Sequence, residues 1–148
     1  MIQLLAGLLV LTGTLEVQEK KSASSAKIEF RRVETQPAEG LIEADGPKNS
    51  EKIYLHKKVE LDNKDISSAL PDFDPKTQDF LVHLTFTDEG AKKMAALSRQ
   101  SFKKRLAILV DGKVVSVPMI TSEFSKHAAV NNLKRETAEK IAKSFGGK

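Results

Sequence analysis

The sequence predicts an α+β fold, in which helices pack on one side of a mostly antiparallel sheet. Three observations lead to this prediction. Apolar and polar side chains alternate over residues 80–86, which is typical of a half-buried strand. Asp111 and Gly112 separate two β-rich runs, which indicates a hairpin. Residues 138–145 place apolar side chains at helical spacing.

Composition indicates one globular domain of ordinary size. The chain has 148 residues and 40% hydrophobic content, which is enough to bury a single core. It contains no cysteine, and this excludes disulfides, thiolate nucleophiles and cysteine-ligated zinc. The net charge of +4 is distributed over a chain in which 30% of the residues are charged. Such a surface has a mild basic bias and mixed signs, so charge alone identifies no partner.

The N-terminus carries an apolar run over residues 4–15, which is too short to span a bilayer comfortably. A run of this length favours the apolar region of a signal peptide. No Lys or Arg precedes it and no cleavage-type site follows closely, so a retained tether or a buried element stays open. Residues 16–26 are charged and then Ser/Ala-rich, as linkers are. We therefore predict a signal peptide or N-terminal tether plus linker at 1–26, and an extracytoplasmic domain, periplasmic or secreted, at 27–148.

The first half of the domain is expected to contain two strands, a long loop and a short helix. Asp62 followed by Asp65 resembles a helix-capping arrangement. The buried side of that helix would consist of Ile66, Ala69 and Leu70. The predicted elements are a strand at 27–34, a loop at 35–51, a strand at 53–61 and a helix at 62–70.

The second half is expected to contain a strand at 80–86 and two helices that flank the hairpin. Thr87, Asp88 and Glu89 open the longer helix, because acidic side chains in a first turn are favoured by the helix dipole. The last helix ends at Gly146, which occupies the position after the cap. Residues 122–133 receive no element. The predicted inner side of the longer helix comprises Ala91, Met94, Ala95 and Phe102, with Leu97 beside them.

The hairpin is predicted to be a scaffold without chemistry of its own. Asp111 and Gly112 suit a type I′ turn, which requires positive φ at both central residues. Pro118 limits pairing along the second strand, so that strand is expected at a sheet edge. A two-residue loop pairs Val110 with Lys113, Ile108 with Val115, and Leu106 with Val117.

No catalytic, cofactor-binding or metal-binding residues are predicted. His56 and His83 each lie alone in a predicted strand and His127 lies in a predicted loop, without a second ligand at metal-binding spacing. The glycine-rich phosphate loops and the nucleophile-elbow motif are absent. The sequence therefore predicts that the protein is not an enzyme and has no cofactor and no small-molecule substrate.

Basic residues that flank the longer helix are the candidate partner-binding residues. Lysines or arginines occur at both ends of this helix, where they could attract an anionic surface. Exposed aromatic residues are not interleaved with them, so nucleic acid is not an expected partner. The candidates are Lys92, Lys93, Lys103, Lys104 and Arg105.

Four motifs occur in order along residues 28–148, and the hairpin motif is the most specific of them. Asp111, Gly112 and Pro118 belong to that motif, and Gly90 belongs to a strand–helix junction; all four are predicted to be structural. The motifs are Phe30-Arg31-x-Val33, Leu61-Asp62-Asn63-Lys64-Asp65-Ile66-x-x-Ala69, Val82-x-Leu84-x-Phe86-x-x-x-Gly90-Ala91, and Leu106-Ala107-Ile108-x-x-Asp111-Gly112-x-Val114-x-Ser116-x-Pro118-x-Ile120.

With these motifs, residues 28–148 resemble the head part of the first periplasmic domain of SecD, a membrane-embedded protein-export component. The resemblance covers the head and not the six-helix membrane part, so it implies a free-standing head module rather than a translocation motor. In that family the head is thought to contact emerging polypeptide. Residues 126–134 depart from the family pattern, because they lack its two glycines and the threonine that would cap the last helix.

The resemblance and the absent catalytic motifs together predict a non-enzymatic extracytoplasmic binding module. Its expected partner is unfolded or exported polypeptide, or a membrane protein, and the N-terminal segment would bring it near a membrane. Two alternatives stay open: an exported enzyme of unrecognised type, and a cytoplasmic anion-binding module.

Overall fold

A computed structural model describes residues 25–124 and 126–146 of the chain. The predicted signal peptide or tether, and most of the predicted linker, lie outside the described residues. Ala26 is buried, and its amide donates a hydrogen bond to Ser144 Oγ at 2.7 Å. The packed part of the chain therefore includes the residue just before the predicted start of the domain at 27.

The larger of two antiparallel sheets is built around the first strand, β1 (Ile28–Glu34). β1 pairs with β7 along one side and with both β3 and β4 along the other. The strand order is β2-β3-β1-β7-β8, and β4 extends the β3 side. The remaining strands are β2 (Ile42–Asp45), β3 (Lys52–Leu55), β4 (Leu61–Asp62), β7 (Leu106–Val110) and β8 (Lys113–Ser116).

The smaller sheet has the order β5-β6-β9 and is also antiparallel. Its strands are β5 (Ile66–Asp74), β6 (Asp79–Phe86) and β9 (His127–Leu133). Two helices, α1 (Asp88–Gln100) and α2 (Arg135–Ser144), complete the domain. The α+β prediction is confirmed, with two sheets where one was expected.

The main core fills the space between the two sheets and the helices. Phe30 of β1 and Phe86 of β6 meet edge to face, with ring centroids 6.0 Å apart. Met94 of α1 and Ile141 of α2 belong to the same cluster. A second cluster lies on the opposite face of the larger sheet, and all five residues of β7 are buried because both of its faces are covered. The second cluster consists of Val33, Ile53, Leu55, Ala107, Leu109 and Val114.

The helix predicted at 62–70 is wrong. Asp62 and Asp65 do form a capping box, but it closes only a 3₁₀ turn at Asn63–Asp65, and the chain continues as β5. A β-bulge lies between Ile66 and Ser68, so that Ile66 and Ala69 face the core three residues apart. The extra residue of the bulge thus produced the spacing that suggested a helix.

Four further predictions need correction. The loop predicted at 35–51 contains β2, and the strand predicted at 53–61 is divided into β3 and β4, which lie along the same side of β1. The unassigned segment at 122–133 contains β9, so His127 lies in a strand and not in a loop. Phe102 was expected on the buried side of the longer helix. It lies instead beyond the end of α1 and is exposed.

The hairpin has the predicted turn and a different register. Asp111 and Gly112 have φ of 52° and 83°, as a type I′ turn requires, and β8 is an edge strand. Val110 pairs with Lys113 as predicted. A bulge then shifts the register, so the pairs of Ile108 with Val115 and of Leu106 with Val117 are wrong. Ile108 pairs with Ser116, and Leu106 N donates to Pro118 O at 3.0 Å.

Candidate functional site

The four edge strands that have at least four residues decide where this domain could accept another chain, since the remaining edge strand, β4, has only two. Across the described residues, the larger sheet ends at β2 and β8 and the smaller sheet ends at β5 and β9. An edge strand presents unpaired N–H and C=O groups, which can pair with an additional strand. The four edges differ in how far their own side chains obstruct such pairing.

The β5 edge is obstructed. Pro71 has no N–H to donate, and the amide of Phe73 already donates to Asp72 Oδ1 at 2.8 Å. The bulge next to Ile66 further distorts the strand. Proline, bulges and occupied donors are the features by which proteins protect edge strands from unwanted pairing. β5 is therefore a poor acceptor for an extended chain.

The β2 edge is short and charged. This strand has only four residues, and Lys52 of β3 lies 2.6 Å from Asp45 Oδ1 and 4.0 Å from Glu43 Oε2. The hydrogen bond to Asp45 raises the pKa of Lys52, so the ammonium stays charged at neutral pH. A short strand with exposed charges discourages the addition of another strand.

The β8 and β9 edges line a groove between the two sheets. Two adjoining depressions of about 230 and 290 Å³ make up this inter-sheet groove, and both are lined by Pro47, Val115 and Asn132. β8 contributes one wall and β9 the other, and no backbone pairing joins them. The groove is therefore a place, within the part of the chain that the structure describes, where the edges of two sheets lie side by side without pairing, although bulges interrupt the β7–β8 and β6–β9 ladders.

The walls of the inter-sheet groove are mixed in character. Val117 and Pro118 supply apolar surface, while Asn131 supplies an amide. Arg105 and Glu51 form an ion pair inside the groove, with Nη2 and Oε1 2.5 Å apart. The hydrogen bond from Arg105 lowers the pKa of the Glu51 carboxyl, so both charges persist at neutral pH. Such a surface offers apolar contact together with polar groups that can bond a main chain.

Three of the six non-glycine residues that have left-handed backbone conformations, among the described residues, line the groove. Lys48, Asn49 and Asn132 have φ of 57°, 56° and 60°, and all three line its upper part. Non-glycine residues in this region are uncommon, although asparagine tolerates it better than most. Held strain of this kind occurs most often at binding and active sites. This observation independently favours the groove as the functional surface.

The candidate basic residues do not form one patch. Arg105 lines the inter-sheet groove and is paired with Glu51. Lys93 Nζ lies 2.9 Å from Oδ1 of Asp65, which is almost fully buried, and this hydrogen bond raises the pKa of the lysine. Lys92 lies 4.0 Å from Glu89 on the same helix face. Lys103 and Lys104 lie in the turn after α1, and the helix itself runs about 12 Å from Lys92 to its last residue, Gln100. A role of these residues in partner binding stays a prediction.

The four residues predicted to be structural occupy tight positions. Asp111 and Gly112 form the hairpin turn, and Pro118 lies where β8 leaves the sheet, in the wall of the groove. Gly90, in the first turn of α1, lies directly against Asp65: a Cβ atom at Gly90 would be 2.2 Å from the Asp65 carbonyl oxygen. Only a glycine fits there.

The histidines lie apart from the inter-sheet groove. His56 Nε2 lies 2.9 Å from Glu34 Oε2, and this hydrogen bond lowers the pKa of Glu34. His83 bonds Asp72 at 3.1 Å, and likewise lowers the pKa of that carboxyl. His127 lies 3.3 Å from Thr85 Oγ1. No group of three or more potential ligands for a metal ion exists among the described residues.

A second depression lies between the β5–β6 hairpin and α2. It measures about 350 Å³ and is lined by the rings of Phe73 and Phe80, whose centroids are 5.0 Å apart. The Arg135 guanidinium lies 5.5 Å from the centre of the Phe80 ring and pairs with Glu139 at 3.3 Å. Because the adjacent β5 edge is obstructed, this cleft offers side-chain contact without main-chain pairing.

Sequence reasoning missed most of the groove because it missed β9 and β2. Asn131 and Asn132 lie at the end of a strand whose pattern is interrupted by exposed polar residues. The 3₁₀ turn at Pro47–Asn49 lies within the loop predicted at 35–51. The one signal available was the pair of asparagines after an apolar run, since asparagine is a frequent left-handed residue at strand ends.

In the part of the chain that the structure describes, neither helix has the length and apolar character needed to cross a bilayer. These features define an α+β domain with a groove between the edges of its two sheets, and comparison with known proteins identifies its family. The family model of the SecDF P1 head subdomain matches residues 38–145. The chain belongs to this family.

Two relatives show how much of a larger protein this domain corresponds to. The chain is 31% identical over 102 residues to the protein translocase subunit SecD of Thermobaculum terrenum, covering 68% of this chain and 19% of that protein. It is 49% identical over 49 residues to the protein translocase subunit SecDF of Thermus thermophilus, covering 33% of this chain and 7% of that protein. The chain spans at most about a fifth of the length of these relatives.

Solved structures agree with the family assignment. One is described as "Structure and function of a membrane component SecDF that enhances protein export"; the TM-score is 0.65 at 26% identity, covering 88% of this chain and 68% of that one. A second, a crystal structure of SecDF in a super-membrane-facing form, gives a TM-score of 0.63 at 28% identity and covers 82% of this chain and 19% of that one. The resemblance to the SecD head is thus confirmed.

Proposed function

We propose that this domain is a non-enzymatic extracytoplasmic module that binds extended, unfolded polypeptide during protein export. The observation that carries this proposal is the inter-sheet groove, where β8 and β9 present edges that no further strand pairs with among the described residues. Edge strands bond the main chain of a ligand, so they accept many sequences. The relatives support the proposal because they are named protein translocase subunits.

The expected affinity is modest. An unfolded ligand loses conformational entropy when it is ordered in the groove, so a dissociation constant on the order of micromolar or weaker is expected. A folded protein has few main-chain groups free to pair with an edge strand. Binding should therefore depend on whether the ligand is unfolded rather than on its sequence.

The test is titration of the full chain with a labelled protein held unfolded by reduction and alkylation, and with the same protein folded. We expect saturable binding of the unfolded form only. Asn131 is exposed and lines the groove. Asn131→Tyr should therefore fill the groove without disturbing the core, and it should abolish binding of the unfolded protein. Lys76→Tyr, in the exposed turn between β5 and β6, is the matched control and should bind normally.

Equal binding of both forms, or loss of binding in the Lys76 variant as large as in the Asn131 variant, would contradict the proposal. Binding of neither form would leave a membrane-protein partner as the next candidate. Both results are read from the same titration, with circular dichroism to show that each variant is folded.

We also propose that the chain is exported by its N-terminal apolar run. Charges placed within residues 4–15 should prevent membrane targeting, because an apolar segment is needed for it. Leu8→Lys combined with Leu9→Lys should therefore retain full-length protein in the cytoplasm, as measured by cell fractionation. The same distribution for variant and wild type would remove the export proposal.

A further inference from the structure

Two large apolar side chains are exposed on neighbouring loops at one end of β7. Phe102 is 51% exposed in the turn between α1 and β7, and Met119 is 54% exposed in the segment after β8. The two loops are joined directly: Lys103 N donates to Ile120 O at 2.7 Å, and Ile120 N donates to Lys104 O at 2.8 Å. We call Phe102, Lys103, Lys104 and Met119 the loop patch.

The fold holds these side chains outward. Ser101 and Ile120, next to Phe102 and Met119 in the chain, occupy the buried positions of the two loops. Ser101 N also bonds Leu97 O at 2.9 Å, which continues the hydrogen bonding of α1. Neither apolar side chain can turn inward without displacing a buried neighbour. The fold therefore keeps both side chains exposed. A polar residue at either position would avoid the free-energy cost of hydrating an apolar side chain.

Lysines flank the exposed apolar side chains and form no ion pair among the described residues, although Lys104 acts, after the hydrogen bond from His56, to lower the pKa of the nearby Glu34 carboxyl. Lys103 Nζ lies 5.8 Å from the centre of the Phe102 ring. Among the described residues, neither Lys103 nor Lys104 has a carboxylate within ion-pair distance. Neighbouring Arg99 and Arg105, in contrast, are paired with Glu123 and Glu51. The loop patch thus combines two apolar side chains with two available positive charges.

We propose that the loop patch rests on the surface of an anionic lipid bilayer. Phe102 and Met119 would enter the boundary between head groups and acyl chains, while Lys103 and Lys104 would contact lipid phosphates. An anionic bilayer is the proposed partner because its negative charge complements the positive charges of Lys103 and Lys104. A stable protein partner would need about 800 Å² on each side, far more than two side chains provide, whereas shallow membrane contact needs only a few residues.

This inference is independent of the polypeptide-binding proposal, although the two surfaces adjoin. Arg105 and Pro118 line the inter-sheet groove and lie beside Lys104 and Met119 in the chain. Lipid contact through the loop patch would therefore place one end of the groove next to the bilayer. An extended chain that emerges at the membrane would meet the groove there.

The natural absence of cysteine allows a position-specific test in the full chain. Met119→Cys is labelled with an environment-sensitive fluorophore and mixed with phosphatidylcholine vesicles, with and without phosphatidylglycerol. We expect a blue shift in emission only with the anionic vesicles, and a weaker shift at high salt. Ile42→Cys is the control, because Ile42 is 43% exposed in β2, away from the loop patch, and should show no shift.

A second variant tests the charges. Lys103→Gln with Lys104→Gln, in the labelled Met119→Cys chain, should weaken vesicle affinity about thirtyfold. Lys57→Gln with Lys58→Gln removes two exposed lysines outside the loop patch and should leave the vesicle affinity unchanged. The apolar N-terminal run is present in every variant, so any binding through it is common to all.

Three outcomes would overturn the proposal: no shift at position 119, an equal shift at position 42, or an equal shift with neutral vesicles. None of these readouts involves unfolded polypeptide. Failure of the membrane proposal is therefore distinguishable from failure of the proposed function.

Discussion

Asp111 joins three parts of the chain at one carboxylate. Its Oδ1 accepts a hydrogen bond from the Lys27 amide at 2.9 Å, and its Oδ2 pairs with Lys140 Nζ of α2. Its own amide donates to Lys27 O at 2.8 Å. The hairpin turn is therefore tied to the start of β1 and to the last helix. The hydrogen bond from Lys140, followed by that from Lys27, lowers the pKa of the Asp111 carboxyl.

The lowered pKa predicts a pH-dependent contribution to stability. The unfolded carboxyl titrates near its ordinary pKa of about 3.9, and the folded one titrates lower. The contribution is fully present above the unfolded value and is lost as pH falls through the folded one. Asp111→Asn keeps a turn-forming residue and an acceptor for Lys27, so it isolates the charge. It should lower Tm at neutral pH, with a difference that shrinks in strong acid.

The measurement is thermal unfolding of both proteins across the acid range. Lys140→Gln removes the same ion pair from the other side and should reproduce the trend. A difference in Tm that stays constant down to the lowest pH would show that the charge of Asp111 contributes nothing.

Gly90 is required by the close approach of α1 to the 3₁₀ turn. A Cβ atom there would lie 2.2 Å from Asp65 O and 2.9 Å from Asp65 Cβ. The Asp65 backbone cannot retreat easily, since its carbonyl accepts from Thr87 N at 2.9 Å and its side chain is held by Lys93. The junction is therefore packed backbone against backbone.

Gly90→Ala should destabilise the protein by about 1–3 kcal/mol, because it overpacks this contact. Helix propensity alone predicts the opposite sign, a gain of about 1 kcal/mol for alanine over glycine. Chemical denaturation of wild type and variant decides between them. Lys92→Ala, at an exposed position two residues along α1, is the control and should change stability little. A gain in stability for Gly90→Ala would contradict the close contact.

At the scale of elements, the β7–β8 hairpin depends on its turn. Gly112 has φ of 83° and open space around the position of a Cβ atom, so a side chain there is opposed by backbone strain and not by a clash. Gly112→Val should cost about 1–3 kcal/mol, since a β-branched residue tolerates positive φ poorly. Lys113→Val, the next residue and the first of β8, should cost little. Similar unfolding curves for the two variants would contradict the turn.

The sequence predicted the hairpin turn correctly but predicted a helix where β5 begins, and the two cases differ in how local their determinants are. A type I′ turn is specified by two adjacent residues, Asp111 and Gly112, so the local sequence is sufficient. The conformation of the chain after Asp65 depends instead on β6, because β6 pairs with β5 along its length. The capping box nucleates one turn, and pairing with β6 then overrides helix propensity.

At the scale of the whole molecule, the two sheets share one core. Phe86 of the smaller sheet is fully buried against Phe30 of the larger one. Phe86→Ala should therefore cost about 3–5 kcal/mol, as large-to-small changes of buried phenylalanine do, and the protein should still unfold in one transition. Circular dichroism and calorimetry measure both quantities. Leu70→Ala is the control, because Leu70 is 60% exposed, and a shift within about 0.5 kcal/mol is expected.

Two separate transitions in the Phe86→Ala protein would contradict a shared core, since each sheet would then fold by itself. A loss no larger than that of Leu70→Ala would show that the Phe30–Phe86 contact contributes little.

The sequence by itself determined the α+β class, the first strand, the strand at 80–86, both helices and the hairpin turn. These features depend on patterns within a few residues: alternation, helical spacing, a cap at Thr87 and an Asp-Gly pair. The motifs of the SecD head were also readable, because motif residues such as Gly90 and Asp111 keep their spacing in the chain.

Only the tertiary structure decided where the two proposed binding surfaces lie. The inter-sheet groove brings Pro47, Val115 and Asn132 together from three distant segments, so no local pattern could reveal it. The exposure of Phe102 likewise depends on the loop around Ile120, which bonds the turn after α1 and leaves no buried place for the ring. Local sequence sets backbone preference, whereas long-range pairing determines which edges stay free and which apolar side chains face solvent.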